Sequence, residues 1–516
     1  MKNVLWSFIL LYIFLYIILF SGYQYIIDPD ATGYLSVAEK VANSKYFQSI
    51  NGIWSPLSSW FLVPFIKAGG NTIMWAKYLN CLYSIISLCL FINLIKKLQI
   101  NMLPAMLMMG AAILLLLHFS FSRLFGDNLV VTILLGYLNI LYSKNFINQY
   151  WKIIFAGIMG SLAFYAKAYS FYFVLFHLPI IIIYLEKQQT GVALSISVLK
   201  KISVGITVLC LVSSLWFIAL HNKYGHFILG QKNVTGTLTD LSNPIKKLVH
   251  PPAIGDYALF DDISNVNNVE LTPFDNPALF IIQLKLTVTN FLMLLISGNE
   301  FSAFFWMIIF VGWLFAFSRK TTMLSSITVP LLIFIAIWTS GFLLFSIQSR
   351  FLWIINLIVL CLAGIQLTQL HKSYYLNKLQ KFFCCIVIIG SFYIYPSLEL
   401  KKDYKRGKDL FELAQKLKAN NINGNILAGI QSDENYSSTV VLNYLNKSKL
   451  YGTYLRDYSS EDIIKAVQQY SIDYYFFYYK TKLEKESFLQ GEIYKNGSVV
   501  FENIHPGLVV IRFDKR

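Results

Sequence analysis

Runs of about 20 apolar residues, each long enough to cross a bilayer as an α-helix, recur along this chain. They constrain the fold more than any other feature, because in hydrocarbon only helices and closed barrels satisfy every backbone polar group. Eleven stretches read as spans: 4–26, 72–95, 103–120, 127–142, 153–171, 172–185, 202–220, 301–318, 322–346, 350–370 and 381–396. The 516 residues are 56% hydrophobic and only 14% charged, more apolar than a soluble core of this size needs. The first run, "VLWSFILLYIFLYIILFSGYQYII", is too long for a signal-peptide core and lacks a small-residue cleavage site, so it reads as a retained helix. The expected fold class is a polytopic α-helical membrane protein with about 11 transmembrane helices.

Basic residues orient it. Lys2, Lys96–Lys97, Lys144 with Lys152, Lys187 with Lys200–Lys201, Arg319–Lys320, and Lys372, Lys378 and Lys381 fall in alternate connections. The positive-inside rule makes those connections cytoplasmic. An odd number of spans then places everything after about residue 397 outside, together with the loop that follows the first helix. The stretch 278–298, containing "ALFIIQLKLTVTNFLMLLIS", would carry Arg319–Lys320 to the outer face if it spanned, so it reads as an interfacial helix. The net charge of +16 suits this topology and an anionic lipid surface. No basic groove interleaved with aromatics points to nucleic acid. The six cysteines all lie in apolar stretches without metal-ligand spacing and read as core residues.

Residues 1–400 thus form a transmembrane domain, with an interfacial outer loop at 28–71 and a further outer loop at 221–300. Residues 401–516 change character. "KDLFELAQKLKAN", "YSSTVVLNYLN" and "SSEDIIKAVQQY" read as helices; "NILAGI", "KLYGTY", "IDYYFFYYK" and "GSVVFENIHPGLVVIRF" read as strands. The alternation implies a small α/β domain, outside the cytoplasm.

Chemistry concentrates after the first helix, at "DPDATGYLSV", residues 28–37. Two carboxylates at a hydrocarbon boundary are costly unless solvated, paired or used. Tyr34, Val37, Ala38 and Val41 fall on one helical face opposite Glu39, Lys40 and Asn43, the pattern of a helix lying in the interface plane. Trp54 and Trp60 follow, suited to the headgroup zone, and Pro56 interrupts any helix between them. On their own, Asp28 and Asp30 are most simply N-terminal caps of that helix. As Asp-x-Asp they could also hold a hard divalent cation, Mg or Mn, through oxygen ligands. No motif calls for any other cofactor.

The pattern "PDATGYLSVAEKVA" followed by "WSPLSSWFLVPF" resembles the first outer loop of the glycosyltransferase C superfamily. The likeness is to the protein O-mannosyltransferases and to the bacterial transferases that put aminoarabinose on lipid A. Asp30, Tyr34, Ala38–Glu39, Pro56–Leu57 and Trp60 carry it; "SRLFGDNLVVTILLGYL" and "QSRFLWIINLIVL" are similar to a second outer loop and a late Arg–aromatic span. Two positions depart from the pattern: Ala31 replaces a second acidic residue, and Trp54–Ser55 stand where the family has Lys before its prolines.

The resemblance implies an enzyme of a prokaryotic cytoplasmic membrane. It would move a sugar from a polyprenyl-phosphate carrier to a glycan, lipid or protein acceptor on the outer face, with inversion. Asp30 would take the proton from the acceptor hydroxyl, a role worth about 10²–10⁴-fold, with Asp28 in support. Tyr34, Trp54 and Trp60 would line the substrate site. The departing phosphate needs cations as its charge develops, and Arg123, Lys167 and Arg350 are the candidates. Snorkelling to the headgroups competes with this role for Arg350 and is the simpler account of Lys167. Arg123 and Asp127 either form a loop salt bridge, or Asp127 lines the site as its second acid. Rival readings are a lipid-linked glycan flippase or transporter, an O-antigen polymerase or ligase, and a non-enzymatic scaffold. Transporters favour internal repeats and broken midplane helices, neither of which stands out here. A polymerase or ligase would use basic residues of a large loop such as Lys246–Lys247.

Overall fold

The computed structural model describes residues 2–124, 126–225, 249–252, 254–258, 261–262, 273–317, 322–344, 346–372, 376–429, 433–454, 459–501 and 507–513. The chain divides into two compact units that do not follow chain order. Met1–Gln24, Ile73–Gly230 and Pro273–Tyr404 form the first; Tyr25–Thr72, Gln231–Thr272 and Lys405–Arg516 form the second.

The first unit is all helix: α1 (Lys2–Tyr23), α5 (Thr72–Lys97), α6 (Met102–Ser122), α7 (Gly126–Leu141), α8 (Tyr150–Ala166), α9 (Ser170–Thr190) and α10 (Ile196–Tyr224), then α11 (Pro277–Phe301), α12 (Phe305–Phe317), α13 (Thr322–Leu343), α14 (Trp353–Lys372) and α15 (Lys378–Asp403). Among the described residues nine helices are long and apolar enough to cross a membrane. The protein is a polytopic α-helical membrane protein. The ends of these helices are set by polar residues in the sequence. Ser195 accepts from the Val198 amide to open α10, Gly225 at φ 78° closes it, and Asn377 with Gln380 forms a capping box on α15.

Lipid tails are as apolar as leucine, so side-chain packing and interhelical hydrogen bonds hold such a bundle together. Phe121 of α6 stacks between Tyr16 and Tyr23 of α1, with ring centroids 4.8 and 4.5 Å away. Asn128 of α7 donates to Asn80 O at 3.0 Å and to Ser84 Oγ at 2.9 Å on α5, and one turn further on the Ser87 and Thr132 hydroxyls are 2.9 Å apart. His177 Nδ1 lies 2.9 Å from the Tyr137 hydroxyl, a hydrogen-bonded partner for a buried imidazole.

The second unit joins α2 (Pro29–Ala42), α3 (Tyr46–Ser49) and α4 (Leu57–Lys67) to the tail, which runs α16 (Lys408–Ala419), β1 (Asn425–Gly429), α17 (Asp433–Asn446), β2 (Lys449–Tyr454), α18 (Ser460–Tyr470), β3 (Tyr474–Tyr478), α19 (Lys482–Leu489), α20 (Glu492–Lys495), β4 (Ser498–Phe501) and β5 (Leu508–Arg512). The sheet order is β2-β1-β3-β5-β4. β1 pairs in parallel with both β2 and β3, in the register Leu427↔Tyr475, while β5 is antiparallel to β3, with Phe476 opposite Val510. Ile426, Leu427 and Ala428 are all buried, as expected of a parallel strand covered on both faces. The edge at β2 is met by Val249–His250 and Tyr257–Ala258: the His250 amide donates to Tyr451 O at 2.8 Å, and the Leu450 amide to Tyr257 O at 2.7 Å.

Two expectations change. The span expected at 153–171 ends at Ala166 and the next begins at Ser170, so the tight turn falls at 167–169. More consequentially, α2 does not present a polar face to water: residues 31–38 are all buried, and Lys40 is 2% exposed. Its polar residues are covered by groups from distant parts of the chain, which helical periodicity does not reveal.

The three stretches that build the second unit pack together, so they share one aqueous side. Consecutive stretches are therefore joined by an even number of crossings. Six helices, α5–α10, separate the first two stretches, and five, α11–α15, the last two. Gln283 and Asn290, two turns apart on α11, donate to Leu344 O and Leu343 O, neighbours at one end of α13. Two turns of α11 thus meet one end of α13.

Two measurements check this architecture. Lys45→Cys and Lys482→Cys, both at exposed positions, should react alike with a membrane-impermeant thiol reagent, above the background of the natural cysteines; labelling from opposite sides would split the second unit. Phe476→Ala, a fully buried position on the central strand β3, should destabilise that unit by about 3–5 kcal/mol in denaturant titrations.

Candidate functional site

The expected site residues fall into two constellations, one within each unit. In the first unit, α7 begins just past the α6 C-cap Arg123, whose carbonyl accepts from Asn80 Nδ2. Asp127 lies in the first turn of α7, where the helix dipole favours a carboxylate, and is buried. Lys167, the C-cap of α8, brings its Nζ to 3.1 Å from Asp127 Oδ1. Arg350 sits in the short 3₁₀ turn Ser349–Leu352 before α14, with Nη1 3.9 Å from Asp127 Oδ2 and Nε donating to Gln348 Oε1 at 2.8 Å. Both cations flank the Phe351 ring, Arg350 Cζ at 5.2 Å and Lys167 Nζ at 6.0 Å. Phe351 is held in turn by Trp338 Nε1, which donates to its carbonyl at 2.7 Å.

Asp127, Lys167 and Arg350 thus converge; of the two alternatives for Asp127, a loop salt bridge to Arg123 or a place beside the other candidate residues, its ion pairs with Lys167 and Arg350 fit the second. Lys167 and Arg350 turn toward a buried carboxylate, so snorkelling does not describe either. Together the three groups carry one net positive charge in a largely desolvated place, where electrostatic interactions are strong. Such a site suits the oxygens of an anion, and the planar Arg350 fork suits a phosphate.

In the second unit, Asp28 is the N-cap of α2: Oδ1 accepts from the Ala31 amide at 3.3 Å, and Pro29 occupies the first helical position. The capping role holds for Asp28. Asp30 stands in the first turn, half-buried. One turn on, the buried Tyr34 ring lies 5.2 Å from that of Trp54, and Tyr34 O accepts from Ser59 Oγ at 2.8 Å. Trp54 is delivered by an Asx turn in which Asn51 Oδ1 accepts from the amides of Ile53 at 2.8 Å and Trp54 at 3.0 Å. Trp54 is therefore an interior residue, contrary to the headgroup-belt expectation, while Trp60 is 40% exposed. The Trp54 Nε1 donor is buried with no acceptor among the described residues. A buried donor normally has a partner; this one packs directly against Gly33 of α2. Among the described residues no group of three or more His, Cys, Asp or Glu could hold a metal ion. A cation on Asp28 and Asp30 alone would draw most of its oxygen ligands from elsewhere.

No protein-family model matches the chain, and no curated protein matches it either. Solved structures do. The apo crystal structure of ArnT from Cupriavidus metallidurans aligns over 99% of this chain and 98% of its own, with TM-score 0.57 and 10% identity. The same protein bound to undecaprenyl phosphate aligns over 98% of each chain, with TM-score 0.55 and 10% identity. The chain shares the fold of these ArnT structures. The likeness runs end to end, so the tail belongs to the shared fold as much as the helices do.

Sequence reasoning missed a third group, also in the second unit. Asp256 and Asp261, from "GDYALFDD", are buried beside Lys40 and Glu39 of α2. Asp261 Oδ2 accepts from the Tyr257 and Ala258 amides at 2.9 and 3.0 Å, and its carbonyl accepts from Asn51 Nδ2. The only signal was acidic clustering inside an Asn-rich loop. Burial, with the Asp256 carboxylate adding to it, raises the Asp261 pKa from 3.8 to about 7.

At this carboxyl the folded state holds a proton that the unfolded chain gives up between about pH 4 and pH 7, so this group's contribution to stability should fall as pH rises through that window. In thermal melts Asp261→Asn should flatten that part of the profile; an unchanged slope would remove Asp261 as its source. Gly33→Ala should displace Trp54, because a Cβ on Gly33 would overlap its indole. Quenched, red-shifted tryptophan emission relative to the unsubstituted protein would report the displacement.

Proposed function

We propose that the protein is an integral-membrane glycosyltransferase that moves a sugar from a polyprenyl-phosphate carrier to an acceptor hydroxyl on the outer face of a prokaryotic cytoplasmic membrane, with inversion at the anomeric carbon. The observation that carries this reading is the convergence of Lys167 and Arg350 on Asp127, in a chain whose fold matches ArnT along its length, ArnT itself having been crystallised with undecaprenyl phosphate. A cation pair of this kind is what a departing polyprenyl phosphate needs as negative charge gathers on its oxygens. Asp127 turns one carboxylate oxygen toward each cation and so helps orient them.

In this reading Asp30 is the general base. It withdraws the acceptor proton as the hydroxyl oxygen attacks the anomeric carbon, the carbon–oxygen bond to the carrier breaks, and polyprenyl phosphate leaves with the electron pair. Asp28 holds the helix start that carries Asp30. Tyr34 and the Trp54 ring packed against it bound the sugar. The outer-face assignment rests on the alternation of basic connections.

Radiolabelled polyprenyl-phosphate sugars incubated with the purified protein and membrane lipid test the reading. One donor should be consumed, and Asp30→Asn should lower its kcat by about 10²–10⁴-fold while leaving the protein folded. Arg350→Lys, which loses the bidentate fork, should chiefly raise KM for the donor. Full transfer by Asp30→Asn would remove Asp30 as the base, and no turnover of any donor would remove the transferase reading.

A further inference from the structure

The helix α2 carries Asp30 in its first turn and a charged pair, Glu39 and Lys40, near its end. Among the described residues, the groups that hydrogen-bond or ion-pair with this pair lie in the second unit. Glu39 Oε1 accepts from the Tyr444 hydroxyl at 2.6 Å and from Lys447 Nζ at 2.9 Å, and Oε2 accepts from the Tyr257 hydroxyl at 2.9 Å. The Lys447 ammonium lies 4.2 Å from the Tyr444 ring centroid and 4.8 Å from that of Tyr257. Lys40 is ion-paired with Asp256, and its Nζ also donates to Gln48 O at 3.4 Å. Ser36, one turn back, donates to Gly255 O at 3.3 Å. The turn that presents Asp256 is itself tied by Asp261 to the amides of Tyr257 and Ala258.

Three stretches far apart in sequence, 36–40, 255–257 and 444–447, therefore close around alternating charges: Lys447, Glu39, Lys40 and Asp256. Successive helix residues point about 100° apart, so ties on both Glu39 and Lys40 oppose rotation of the helix in either direction. Their partners sit on different chain segments and oppose its axial sliding. Burial makes the Lys40–Asp256 tie costly to break, because the group left behind would be an unpaired charge away from water.

We propose that Glu39, Lys40 and Asp256 are positioning residues, which clamp α2 between the 249–262 segment and the tail and so hold Asp30 where the transfer requires it. This rests on the reading of Asp30 as the base. Asp30 and Glu39 are nine residues apart, about 14 Å along the helix, so the clamp acts through the helix rather than by touching substrate. It also gives the tail a part in the reaction itself, apart from any acceptor binding. A displacement of about 1 Å at a reacting group can cost about 10²-fold in rate.

The test uses Glu39→Gln and Tyr444→Phe in the full-length protein. Each should lower kcat about 10- to 100-fold with donor KM within about twofold, and each should speed amide exchange across residues 29–42. Glu39→Asp should recover part of both losses. Unchanged exchange in α2 would overturn the clamp; so would faster exchange with kcat intact, since the helix position would then not matter to the reaction. If the unsubstituted protein transfers no sugar from any polyprenyl-phosphate donor, the functional reading fails and the link to Asp30 fails with it, while the exchange measurement still decides whether α2 is clamped.

Discussion

A charge withdrawn from water has to meet an opposite charge, and this chain, only 14% charged, meets that condition with partners distant in sequence. Lys167 and Arg350 meet Asp127; Lys40 meets Asp256; Lys201 meets Glu186 at 2.8 Å. The cost of leaving any of these ions alone away from water is several kcal/mol, so each pair restricts which elements can lie side by side. Apolar packing is tolerant of small shifts. Ion pairs are less so, and here they stand at helix ends and turns, where the two constellations of candidate site residues are built.

The helices were legible because hydrocarbon demands a length as well as a composition. Most expected spans match observed helices to within a few residues, and the strand segments of the tail were recognisable from their β-branched and aromatic runs. The stretch at 278–298 was harder. As the 25-residue helix α11 it is long enough to cross a membrane, and hydropathy cannot distinguish a helix that crosses from one that passes over its neighbours. Its contacts show only that two of its turns meet one end of α13.

The candidate site shows the same division. Asp127, Lys167 and Arg350 each stood out as a charge beside an apolar run, yet Arg123 was the natural partner for Asp127, being only four residues away. The chain leaves α6 in extended conformation at Arg123 and re-enters helix at Gly126, which aims Asp127 toward residues 40 and 223 positions further along. For α2, the reading of Glu39 and Lys40 as a solvated face was sound on periodicity alone. Their partners lie more than 200 and more than 400 residues away, and only the fold brings them near. Trp54 looked like a membrane-belt residue for the same reason: its burial depends on an Asx turn and on the absence of a side chain at Gly33.

By itself, the sequence determined that the chain is a many-helix membrane protein with an α/β tail, and it singled out the residue types able to move a proton and hold a phosphate. These properties follow from local length, composition and hydrogen-bonding capacity, which each segment carries wherever it ends up. Tertiary structure alone decided that the first loop, the 249–262 segment and the tail form one unit, that two cations share Asp127, and that the polar face of α2 is buried. Those outcomes depend on which charges meet, and the energy of a buried charge is set by neighbours in space rather than by neighbours in the chain.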